Sequence, residues 1–142
     1  MANIFTQGLK NEKIILLVAL GIEITWRITG EQPVLKMLGD AHTLIFPWVI
    51  RVIYFIALGW LLSKNTLCSS KQAAMIGLYR GVALGIVIGL FELVWYHNIN
   101  AFIFLLALPW QTLAAGYVLV GVTSYIISLW KQERKDYLKI NK

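Results

Sequence analysis

Apolar residues run along this chain in long stretches broken by short polar clusters. Within stretches such as 14–22 and 82–91 they do not alternate with polar residues. Continuous apolar runs predict helices rather than the alternating strands of a closed barrel, the other architecture that can cross a bilayer. Four helices are expected, at about 14–28, 47–63, 72–95 and 109–130, with residues 64–71 forming a turn centred on Ser69-Ser70 and a charged tail over 131–142.

The stretch 98–130 holds 33 residues, which at about 1.5 Å each would reach roughly 50 Å, too long for one upright crossing. Pro109 is the expected break, taken as the first residue of the fourth helix. Residues 99–108 then become an apolar segment lying in the interface or re-entering the bilayer. A continuous helix kinked at Pro109 is the competing reading. Pro47 is expected to open the second helix in the same way, with a start as early as Thr43 the alternative, after an amphipathic connector carrying Val34, Leu35 and Leu38.

Composition turns these helices into membrane helices. Of 142 residues, 58% are hydrophobic and 14% charged, and the mean hydropathy is +0.69, against about 25% charged residues in soluble domains. The length accommodates four crossings in a single membrane domain over 1–142 and no separate soluble domain. The fold class is therefore an all-α integral membrane protein, a four-transmembrane-helix bundle.

A net charge of +6 in a soluble protein would suggest nucleic acid; here it resolves into topology, and no nucleic-acid partner is expected. Nine of the 13 Lys and Arg residues (Lys10, Lys13, Lys64, Lys71, Lys131, Arg134, Lys135, Lys139 and Lys142) fall on segments that share one side, whereas the opposite connections hold only Arg27 and Lys36. The positive-inside rule puts both termini in the cytoplasm, the parity four crossings require. Trp26, Trp48, Trp95 and Trp110 then fall at outer helix ends, and Trp60 and Trp130 at inner ends, as headgroup anchors should. Lys10 and Lys13 before an apolar run resemble a signal peptide, but Trp26 and Arg27 stand where its small-residue cleavage site would lie, so the segment is read as a retained helix. A bacterial inner (plasma) membrane is the expected location. Cys68 is the single cysteine, so no intramolecular disulfide forms.

Ala73, Gly77, Gly81, Gly85 and Gly89 recur every four residues, a row of small side chains on one helix face that lets a second helix approach to backbone contact. Contact within the chain is favoured over a homo-oligomer seam. Glu92, seven residues after Gly85, points within roughly 20° of this face and so toward protein. Glu23 and Arg27 have the spacing of an intrahelical ion pair. With Arg51 they predict a cluster of two carboxylates and two guanidiniums in the outer half of the bundle, with His97 and Gln111 at its rim. Arg80 is expected to snorkel to cytoplasmic headgroups.

Charged residues inside a membrane point to function, although a neutral set can also be structural glue. Glu23-x-x-Trp26 followed by Pro47-Trp48 recurs as Glu92-x-x-Trp95 followed by Pro109-Trp110; chance matches in a restricted alphabet are one reading, since the two motif offsets differ by seven residues, and a 2+2 parallel internal repeat is the other. The expected function is a small transport or channel protein with an outward-facing buried Glu and Arg site that takes a small ion or solute, with proton coupling if a carboxylate is poorly paired. The alternative is a non-catalytic anchor or assembly subunit of a homo-oligomer or larger membrane complex, and the third is a membrane enzyme acting on a lipid or quinone. Nucleophile, phosphate-loop and metal motifs do not occur, and the two histidines, His42 and His97, are read as interface residues rather than haem ligands. No catalytic residue, metal or cofactor is expected.

Overall fold

The computed structural model describes residues 9–29, 40–64, 68–97 and 99–140, with side chains over 12–29, 45–64, 68–97 and 101–134. The connector residues Val34, Leu35 and Leu38 and the side chain of His42 lie outside these ranges. Every element described is a helix: α1 (Leu9–Thr29), α2 (Asp40–Lys64), α3 (Ser70–Tyr96) and α4 (Ile99–Ile140). Three stretches, Ile45–Lys64, Ser70–Tyr96 and Ala101–Arg134, are long and apolar enough to cross a membrane. Helix α1 is set apart by Lys10, Glu12, Lys13, Glu23 and Arg27 along its length.

Local chemistry fixes the ends of α3. Ser69 and Gln72 close a capping box, with Gln72 N–H donating to Ser69 Oγ at 3.3 Å and Ser69 N–H to Gln72 Oε1 at 2.9 Å, which satisfies two amides that a helix start leaves without partners. At the other end His97 adopts a left-handed conformation (φ 50°) and its N–H donates to the Leu93 carbonyl at 3.2 Å. This conformation ends α3.

The α3–α4 hairpin is the tightest contact in the bundle. A Cβ built on Gly77 would strike the Gly116 carbonyl, one on Gly81 the Thr112 carbonyl, one on Gly85 would lie 2.6 Å from Pro109 Cα, and one on Gly89 2.9 Å from Leu105 Cα. Each four-residue step along α3 is thus matched by a step of about one turn along α4, backbone against backbone. Helix α2 lays Phe55 against Gly116, and Gly59 against Thr123. Tyr54, Phe55 and Leu58 from α2, Leu84 and Ile88 from α3, and Leu108 and Val120 from α4 build the core.

Here the structure departs from the expected break at Pro109. Residues 99–108 are not a separate segment; they begin a continuous helix of 42 residues that carries Pro109 in its interior. Proline removes one backbone hydrogen bond and crowds the preceding turn, but Gly85 leaves room for it on the facing helix, and Thr112 Oγ1 donates to the Leu108 carbonyl at 2.9 Å. The register with α3 runs through the proline without interruption. Pro47 likewise sits inside α2, which begins at Asp40.

Helix α1 is attached differently. Ala19 is its one contribution to the buried apolar core, while Ile14, Leu17, Val18 and Ile22 are exposed. Ile15, Leu16 and Leu20 are partly buried against that core, Trp26 meets Phe46 of α2, and ion pairs add ties at two levels.

Candidate functional site

Glu23 is 1% exposed and Arg51 2%, so both are removed from solvent and must satisfy each other. Arg51 comes from α2 and grips Glu23 with two donors, Nε to Oε2 at 3.2 Å and Nη2 to Oε1. This forked arrangement suits the planar guanidinium. One turn further along α1, Arg27 donates from Nη2 to the same Glu23 Oε1 at 3.2 Å and pairs through Nη1 with Glu92 of α3. Arg27 is therefore shared by two carboxylates on different helices.

Aromatic rings cover this set. The Arg51 guanidinium lies 5.1 Å from the centre of the Trp48 ring, and that of Arg27 lies 5.5 Å from the centre of Phe104 on α4. Trp26 and Phe46 meet beside it, with ring centres 4.1 Å apart. The negative ring faces favour the guanidiniums. Four charged side chains from three helices make an electrically balanced cluster, buried at Glu23 and Arg51 and partly exposed at Arg27 and Glu92, with α4 supplying part of its cover.

Of the residues singled out in the sequence, Glu23, Arg27, Arg51 and Glu92 are brought together. His97 and Gln111 are not part of the ion-paired set: His97 is exposed at the α3 cap with its Nδ1 3.4 Å from the Trp95 carbonyl, and Gln111 is exposed beside the buried Thr112. Ala73, Gly77, Gly81, Gly85 and Gly89 are all buried, and the glycines of this row face α4 within the chain.

Arg80 requires a correction. Instead of reaching away to headgroups, it holds Glu12 of α1, with Nε 2.6 Å from Oε1 and Nη2 3.0 Å from Oε2. Helix α1 starts before the apolar run, at Leu9, and so carries Glu12 inside the bundle, where it is 5% exposed. The signal was available in the spacing. Glu12 and Glu23 are eleven residues apart, three turns and about 20°, and therefore share one face of α1. The polarity of the two α1–α3 links is reversed: Arg on α1 and Glu on α3 near the C-terminal end of α1, Glu on α1 and Arg on α3 near its N-terminal end.

Tyr54 of α2 is 1% exposed, and its hydroxyl has no hydrogen-bond partner among the described residues. An open groove of about 450 Å³ lies elsewhere, between Gly21, Thr25 and Thr29 on α1 and Phe46 on α2. Among the described residues no group of three His, Cys, Asp or Glu side chains is placed to hold a metal. No family model, curated protein or solved structure matches the chain.

Proposed function

We propose that the chain is a small multi-pass membrane transport protein, proton-coupled through the Glu23, Arg27, Arg51 and Glu92 cluster, with α1 as its moving element. The observation that carries this reading is the sharing of Arg27 between Glu23 and Glu92. When Glu92 takes up a proton it loses its hold on Arg27, while Arg27 keeps Glu23 as a partner. The outer link between α1 and α3 then opens without orphaning the guanidinium. A helix that contributes Ala19, Ile15, Leu16 and Leu20 to the core but is tied to α3 by ion pairs is the element whose α3 contacts such a change can loosen.

In this reading α1 is the fourth crossing. Its 21 residues span about 31 Å, the thickness of a bilayer core. With Glu12, Glu23 and Arg27 paired inward, the side it turns outward is Ile14, Leu17, Val18 and Ile22. Charge bias then puts both termini in the cytoplasm of a bacterial inner membrane. The meeting of Glu23 and Glu92 across one arginine also agrees with a 2+2 parallel repeat, in which they are equivalent positions.

The test is proton flux into proteoliposomes under an imposed pH gradient. Glu92→Gln, which mimics the protonated carboxyl, should lower flux and remove its pH dependence while the protein still purifies as a folded species. Unchanged flux in both Glu92→Gln and Glu23→Gln would sink the reading.

A second reading, an anchor or assembly subunit, draws support from the groove on α1. The glycine row of α3 is already occupied by α4, so the seam in that case is the Gly21, Thr25 and Thr29 stripe, whose small side chains lie along the groove. Gly21→Leu should then release a partner that co-purifies from native membranes while leaving proteoliposome flux undetectable in both forms.

A further inference from the structure

Two apolar rails on the outside of the bundle each end in a tryptophan and then a cation. On α2, Ile53, Ile56 and Trp60 recur at helical spacing and Lys64 follows four residues later; on α4 the series is Val122, Ile126, Trp130 and then Arg134. All of these side chains are exposed. The rails flank one seam. Phe55 meets Gly116 and Gly59 meets Thr123, so α2 and α4 run in the same direction. Where parallel helices touch, the residue after the contact on one and the residue before it on the other turn to the same side. Leu58 and Ser124 are both buried on one side of the contact between Gly59 and Thr123, and Trp60 and Val122 are both exposed on the other. The rails therefore border a groove that opens to lipid.

Charge gathers at one end of this groove. Helix α2 stops at Lys64, five residues after Gly59, whereas α4 runs on from Thr123 past Arg134. Lys64 folds back over the Trp60 ring with its Nζ 3.4 Å from the ring centre, as a cation favours. Lys131 reaches across from α4 to the Ser63 carbonyl, and Ser63 Oγ donates to the Trp60 carbonyl at 2.7 Å. The free carbonyls at a helix end repel a phosphate; Lys131 covers one of them and has two further N–H donors to give. Glu133 is the one exposed carboxylate among the described side chains here, set against Lys64, Lys131 and Arg134. The surplus is positive. Trp60 and Trp130, 48% and 74% exposed, mark the headgroup level, where such rings settle.

We propose that the groove is a site for one anionic phospholipid of the surrounding leaflet. Its phosphodiester is held by Lys64, Lys131 and Arg134 at the level of the two tryptophans, and its acyl chains lie along the two apolar rails. Each part of such a lipid meets its complement: the chains find the exposed isoleucines and valine, and the negative headgroup finds the only stretch of the groove that carries a positive surplus among the described residues. Clusters of cations beside a membrane helix recognise anionic headgroups in this way. The site is independent of the Glu23 cluster and of the transport reading. It would bind α2 to α4 at the end where their backbones part.

The test is native mass spectrometry of the full chain in detergent, titrated with dioleoylphosphatidylglycerol or with dioleoylphosphatidylcholine, which has the same acyl chains and no net charge. One phosphatidylglycerol should bind about 10-fold more tightly than phosphatidylcholine. Lys64→Gln and Arg134→Gln should each weaken its binding by about 5-fold, the scale of one cation facing an anionic leaflet, and the double variant should bind the two lipids alike. Lys71→Gln removes an exposed cation at the start of α3 that the groove does not use, and should leave the preference unchanged. Each variant is compared once it melts like the parent. Equal binding of the two lipids by the parent overturns the site, as does a preference that survives in the double variant or falls as far in Lys71→Gln. Displacement of the lipid by inorganic phosphate also overturns it, because the cations would then take a soluble anion.

Discussion

Arg51 gives two donors to one carboxylate and is 2% exposed, so its removal strands a buried charge rather than deleting a contact. Arg51→Met alone should destabilise the protein by about 3–5 kcal/mol, because Glu23 keeps only its share of Arg27. Adding Glu23→Met should restore most of that loss, since Arg27 and Glu92 remain as a neutral pair; thermal unfolding of the two variants in detergent measures the difference as a coupling energy. At this scale part of the cluster was legible: the four-residue spacing of Glu23 and Arg27, and the angle that puts Glu92 on the glycine face, are properties of single helices. The grip of Arg51 on Glu23 and of Arg80 on Glu12 depends on how helices pair across the bundle, which spacing does not encode. Glu12 was hidden for another reason, since it stands among the N-terminal lysines and reads as part of a solvated charge cluster. Only its phase relative to Glu23 marks it as inward-facing.

Among the helices, α3 and α4 are joined by the removal of side chains rather than by their burial. Gly81→Ala adds one methyl group against the Thr112 backbone, which cannot move without shifting α4, and should cost about 1–3 kcal/mol. Gly21→Ala is the matched control: nothing lies within 4 Å of the new methyl, and replacing a helical glycine should be neutral or stabilising by up to about 1 kcal/mol. Melting temperatures of the two variants should move in opposite directions or differ widely. The same contact accounts for the start of α4, which composition misplaces at Pro109. Proline and length both argue for a break at residue 109 when α4 is considered alone; the absent side chain that admits the proline belongs to Gly85, on another helix.

The arrangement of the whole molecule in the bilayer can be read through Cys68, the single thiol, between α2 and α3. In the proposed topology this connection lies on the cytoplasmic side, with Lys64 and Lys71 on either side of it, and with Lys131 donating to the Ser63 carbonyl at the C-terminal end of α2. A cation at that end meets the negative pole of the helix. A membrane-impermeant thiol reagent should therefore label Cys68 in inside-out vesicles and leave it untouched in right-side-out ones. The half-buried thiol donates to the Ser69 carbonyl at 3.7 Å, and burial raises its pKa above the ordinary thiol range. The thiolate is the reacting form, so the labelling rate at neutral pH should fall below that of a free cysteine and climb as the pH is raised past the usual thiol value. Denaturing the vesicle proteins in detergent should abolish both the sidedness and the slow rate. Labelling from the outer side of intact right-side-out vesicles would reverse the orientation of all four helices. The Glu23 and Glu92 cluster would then face the cytoplasm, and the Glu12 and Arg80 pair the opposite surface.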